Sequence, residues 1–161
     1  SARTTAIVGA AMLEDVLGQL IAARFPTEGD TKKRLLKATG PLGNLDTKIK
    51  VAYAMGITSK VAFQDLTRII EVRNMFAHRL EITDFDHPDV RALCMKLKLI
   101  ERHVFPSGTR DDDTPQDISP KLFVPDLADR LATPRGRYLL SVMLERFSIS
   151  WNRGIPKSVR S

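Results

Sequence analysis

A single cysteine, Cys94, stands among 161 residues. No intrachain disulfide can form, and no site built from several cysteines can hold zinc or an iron–sulfur cluster. That scarcity suits a reducing compartment, and a cytoplasmic location is expected. Aromatic residues make up only 6% of the chain, so its core must be aliphatic. No uninterrupted apolar run approaches the roughly 18 to 20 residues that cross a bilayer. The early stretch from Ala6 to Leu13 runs directly into Glu14 and Asp15, which weighs against secretion or membrane insertion. Strict apolar–polar alternation with β-branched enrichment is also missing, which argues against a sheet. What is present is a 43% hydrophobic fraction. It excludes a wholly disordered chain, and the length implies one domain, or one domain with an appendage.

Charge is the next feature, and its placement matters more than its sum. The formal net charge is +6, with an excess of +4 over residues 1–103 and +2 over 104–161, so it is spread thinly. Two local clusters stand out. One is Lys32, Lys33, Arg34 and Lys37. The other is C-terminal, where Arg135, Arg137, Arg146, Arg153, Lys157 and Arg160 face only Glu145. Arg135 and Arg137, with Lys48 and Lys50, are candidate nucleic-acid contacts; a solvated face is the plainer alternative.

Helical signals run through most of the chain. Apolar residues recur at helical spacing from about Thr4 to Phe25, and Pro26 closes that run. A short basic helix is expected over Thr31 to Ala38, then a turn through Gly40-Pro41-Leu42-Gly43-Asn44. Asn44 or Asp46 caps a helix to Met55 that ends at Gly56. Ser59 or Thr58 starts a long helix to about Leu80, and Asp86 with Pro88 opens another through about Val104. The expected fold is all-α: an up-and-down four-helix bundle over residues 1–105, a Pro- and Asp-rich linker over 106–125, and a C-terminal helical extension with a basic tail over 126–161. In that extension Thr133 caps a helix with Pro134 at its first position. Tyr138, Leu139, Val142 and Phe147 are then free to pack on the bundle or on a partner.

The long helix carries the candidate site. At 100° per residue, Ala62, Leu66, Ile69, Phe76, Ala77 and Leu80 fall on one arc, with Phe63 and Ile70 on its shoulder and Arg73 in its middle. A guanidinium on an apolar face must snorkel outward or find an acid, because an unpaired buried charge costs several kcal/mol. Asn74 and His78, four residues apart, share the next flank. Glu14, on the border of the first helix's apolar face, is the candidate acidic partner of Arg73. Cys94 lies on an apolar helix side with Val90 and Leu97 and is expected to be buried filler. His87 is expected at a helix start and His103 at a helix end. Neither stands at a metal-ligand spacing from His78, so no metal and no cofactor is expected.

The hexapeptide Arg73-Asn74-Met75-Phe76-Ala77-His78 resembles the Arg-x4-His signature of the HEPN superfamily of helical-bundle domains. The longer phrase GPLGNLDTKIKVAYAMG from Gly40 to Gly56, the RNMFAH helix and DFDHPDVR from Asp84 are together similar to the mannitol operon repressor (MltR) family. The resemblance covers about residues 5–105.

Two functions are implied. Catalytic HEPN domains are metal-independent endoribonucleases that act as dimers. Carried onto this chain, His78 is the general acid or base, Arg73 stabilises charge on the phosphate, Asn74 orients phosphate or imidazole, and Glu14 holds Arg73. The repressor family instead implies a transcriptional regulator, and the chain has no evident helix-turn-helix. The nearest candidate, Asp46 to Met55 followed by Ser59 onward, begins its second helix Ser59-Lys60-Val61-Ala62-Phe63, which is too apolar for a recognition helix. Direct base reading is therefore not expected. A homodimer through the bundle helices, RNA, or a partner regulatory protein are the expected associations. A purely structural Arg73–Glu14 pair, completed by Asn74 and His78, is the remaining alternative.

Overall fold

The computed structural model describes residues 1–26, 29–98 and 127–151, and among them the chain is helical with no strand. Among the described residues seven helices follow one another: α1 Ala2–Ala22, α2 Asp30–Leu36, α3 Leu45–Ala54, α4 Lys60–His78, α5 Pro88–Cys94, α6 Leu127–Ala132 and α7 Pro134–Trp151. The expected linker over 106–125, His103, and the basic tail from Asn152 onward lie outside the described residues, as does the side chain of Phe147.

Helix starts follow local chemistry. Asn44 Oδ1 accepts from the Thr47 N–H at 2.8 Å, Ser59 Oγ from Ala62 at 3.2 Å, and Thr133 Oγ1 from Gly136 at 3.1 Å. Each satisfies a donor that the first helical turn leaves unpaired. At α5 the cap is His87 rather than Asp86, its Nδ1 facing the Asp89 N–H, with Pro88 in the first helical position. α5 ends at Cys94, earlier than the helix to about Val104 that the sequence led us to expect. α3 is closed by Gly56 at φ +67°, a left-handed conformation that glycine adopts without strain.

α1 forms the centre, with α3, α4 and α7 packed around it and α5 lying against α4 and α7. Ala6, Ala10, Leu13, Leu17, Leu20 and Ile21 of α1 meet Ile49, Leu66, Ile69 and Phe76 in one core. The C-terminal helix folds back into that core. Tyr138 and Val142 are buried in it, and the Tyr138 hydroxyl donates to the Ala6 carbonyl at 2.8 Å. Gly9 permits this approach, since a Cβ there would stand 3.3 Å from the Tyr138 ring. Aromatic contacts from Phe76 to Phe85 at 4.9 Å, and from Phe85 to Tyr138 at 5.2 Å, tie α4 to α7. By length and composition α1 is also apolar enough to cross a membrane; in this bundle it is the core helix.

The apolar arc of α4 stops short of its expected length. Ala62, Leu66, Ile69, Ile70 and Phe76 are buried, whereas Ala77 is exposed and Leu80 is 82% exposed. Arg3 at the start of α1 donates to the Phe76 carbonyl, so α1 and α4 run antiparallel and little of α1 remains to cover α4 beyond Phe76.

Among the described residues two acids, Asp65 and Glu145, are fully buried, and nothing in the sequence signals the burial of either. Asp65 accepts from Arg68 at 2.8 Å and from the Lys98 N–H at 2.8 Å. Glu145 is fully buried, and among the described residues neither its carboxylate oxygens nor the Ser141 hydroxyl one turn away has a hydrogen-bond partner. Burial, followed by the nearby Asp65 charge, pushes the Glu145 carboxyl well above the carboxylate range. The folded state therefore holds a proton that the unfolded state releases, so stability falls as pH rises above the unfolded value of 4.5. Glu145→Gln should flatten that slope, raising the midpoint of thermal unfolding at pH 8 by several degrees, about 1 kcal/mol. At pH 4 it should change little. Thermal scans across pH check this, and a variant whose unfolding keeps the wild-type pH dependence would contradict it.

Candidate functional site

The motif residues occupy the last turns of α4. Arg73 and Asn74 are half-buried and joined directly, Arg73 Nη1 donating to Asn74 Oδ1 at 2.8 Å. His78 is the final helical residue and is exposed. Arg73 and His78 are five positions apart on the helix, a rise of about 7.5 Å and a turn of about 140°. Arg73 also lies near Tyr138. Its charge opposes the rise that burial imposes on the phenol, whose pKa is pushed above the ordinary tyrosine value. No carboxylate neutralises Arg73 among the described residues.

The Glu14–Arg73 pair is not formed. Glu14 Oε1 accepts instead from Lys48 Nζ at 3.1 Å, and the Lys48 side chain is only 9% exposed. The cause is the antiparallel packing. Arg3 marks the level of Phe76 on α1, and eleven residues, about 16 Å, separate Arg3 from Glu14. Glu14 thus faces α3, not the C-terminal end of α4.

The candidate nucleic-acid contacts divide in the same way. Lys48 is buried and committed to Glu14 and the Gly43 carbonyl. Arg137 is buried, donating to the carbonyls of Leu97 at 2.6 Å and Cys94 at 3.3 Å. It closes the unpaired end of α5 and the turn after it. Neither is a surface cation. Lys50 is exposed and paired with Asp46 one turn earlier at 2.6 Å; Arg135 is exposed. Arg3 does for α4 what Arg137 does for α5, with Arg79 and Ile82 carbonyls at 3.4 and 3.3 Å as further acceptors. Nothing local in the sequence marks Arg3 for this, because its partners lie more than 70 positions away.

Cys94 is buried, and desolvation lifts its thiol to about 12 against an opposing influence from Arg137. A thiol so placed is no nucleophile near neutral pH. Among the described residues no group of three or more His, Cys, Asp and Glu could hold a metal.

Two measurements check these assignments. Lys48→Ala should cost about 1–2 kcal/mol in urea unfolding, because Glu14 loses its partner in a half-buried place. Lys50→Ala should stay within about 0.5 kcal/mol. Cys94 should remain unmodified by a chromogenic thiol reagent at pH 8 until denaturant is added; rapid labelling of the native protein would show it accessible.

The model of the mannitol repressor (MtlR) family matches residues 5–123. In structure the chain is similar to a chain of the MtlR–HPr complex from Escherichia coli, determined by X-ray crystallography. The identity is 20% and the TM-score 0.65, with 93% of this chain and 90% of that chain covered. No curated protein matches the sequence. The family match spans most of the chain and includes the Gly40–Gly56 phrase, α4 and α5: this chain belongs to the mannitol repressor family.

Proposed function

We propose that this chain is a regulator of the mannitol repressor type that works as a homodimer by binding a partner protein, an HPr-type protein being the first candidate. The observation that carries the reading is the likeness along 93% of the chain to a chain of the MtlR–HPr complex. The α3–α4 pair supports it from the opposite direction. A recognition helix must present its N-terminal residues to the major groove. The start of α4 is instead turned inward: Ala62, Asp65 and Leu66 are buried, and Phe63 stacks on Tyr53 of α3 at 4.6 Å. Titration calorimetry with HPr from the same organism should give a saturable heat, while the protein alone should not shift operator DNA. A sequence-specific shift by the protein alone, with no HPr binding, would establish direct repression instead.

A second reading is favoured by one feature of α4. Arg73 keeps N–H donors beyond the single bond to Asn74, with no acid against it among the described residues, and His78 on the same helix is open to solvent. A phosphodiester could be clamped by Arg73 and Asn74 while His78 exchanges a proton with the ribose 2′-hydroxyl or the leaving oxygen, yielding a 2′,3′-cyclic phosphate. This is the HEPN-type endoribonuclease activity. Labelled single-stranded RNA incubated in EDTA should then be cut, with His78→Ala lowering the rate about 100-fold or more. Intact RNA with both proteins would eliminate the activity.

A further inference from the structure

The face formed by α1 and α7 is incompletely used by the fold. α1 is long and strongly apolar, yet only 44% of its apolar 18-residue window is buried. A strongly apolar helix is ordinarily covered over most of its surface. Its exposed stripe carries Val8 at 51% and Met12 at 39% exposure, and the neighbouring stripe of α7 carries Leu139 at 36% and Met143 at 53%. Between the two helices runs an open groove of about 710 Å³ with Gly9 and Val142 among its lining residues. Apolar knobs therefore stand on the same face as the hollow that would receive them, which is the requirement of a two-fold, self-complementary contact.

Charge around the groove selects the occupant. α1 and α7 run parallel, since Tyr138 lies beside Ala6 and Val142 beside Gly9. Arg135, seven residues before Val142, therefore stands level with the first residues of α1. At 100° per residue Asp15 falls on the stripe of Val8 and Met12, and Arg135 on that of Leu139 and Met143. Both are exposed. A two-fold axis through the groove at Val8–Gly9 lays each α1 across the α7 of the other copy in the reverse direction. Asp15, about 10 Å to one side of the axis, then meets Arg135 of the other copy, about 10 Å to the other side.

We infer that the occupant is a second copy of this chain, and that the α1/α7 face is the homodimer interface. It rests on the homodimer part of the reading above and not on HPr or RNA. The interface also separates the two motif ends. Arg3, tied to the end of α4, lies roughly 8 Å from the axis along α1, so the two copies of that position are about 16 Å apart along the helix direction.

Sedimentation equilibrium with circular dichroism tests this on the full chain. The wild type should be a dimer, and Met143→Glu should be a monomer with unchanged helicity. Asp15→Arg should weaken the dimer by about 5-fold or more, by placing like charges opposite one another, and adding Arg135→Asp should restore it. The double variant guards against a change that merely unfolds α1. A wild-type monomer overturns the homodimer and this face together. A dimer indifferent to Met143→Glu, or charge variants without rescue, overturns the face alone. A monomer that partitions onto anionic vesicles through α1 would assign the apolar stripe to a membrane surface and equally overturns the inference.

Discussion

The structure depends on one long central helix, α1. It is strongly apolar, and α3, α4 and α7 each take a sector of it. That arrangement sets the direction of α4, whose C-terminal end comes to Arg3, and it draws α7 back from the end of the chain through Tyr138 and Gly9. Burial of aliphatic side chains supplies the driving force. The few aromatic residues act as ties between helices: Phe76, Phe85 and Tyr138 form one such chain.

Polar groups in the bundle serve mostly to close what helices leave open. Arg3 and Arg137 donate to carbonyls at the ends of α4 and α5, and Lys48 neutralises Glu14 while reaching the Gly43 carbonyl. These cations belong to the scaffold, so the formal excess of +6 overstates the positive charge available to a polyanion. Arg73 differs, since its bond to Asn74 leaves its charge uncompensated by any acid among the described residues. Glu145 is the converse case, a carboxyl buried without a hydrogen-bond partner among the described residues. A low-dielectric site holds such a group in its neutral form more readily than as an ion.

Much of this was legible in advance where the cause is local. The caps at Asn44, Ser59 and Thr133, the end of α3 at Gly56 and the place of Pro88 follow from side chains bonding within three residues of themselves. The Arg73–Asn74–His78 cluster is local as well, being one stretch of one helix. The partner of Glu14 was misassigned because helical periodicity reports which face a residue occupies but not how far along its neighbour that face is met. Lys48 and Arg137 read as surface cations for a related reason: a long side chain on a helix border is buried or exposed according to what packs beside it.

By itself the sequence determined the all-α class, the helix boundaries to within a few residues except at the end of α5, the motif and the family. Those follow from periodicity, capping chemistry and a long contiguous phrase, all read over short spans. Tertiary structure alone decided that the C-terminal helix enters the core through Tyr138 and Val142. It also decided that Glu14 answers Lys48, that Arg3 and Arg137 close helix ends, and that α1 keeps one apolar stripe uncovered. Each depends on the direction and register in which two distant helices meet, and these are set by the packing of whole faces, not by any single stretch of residues.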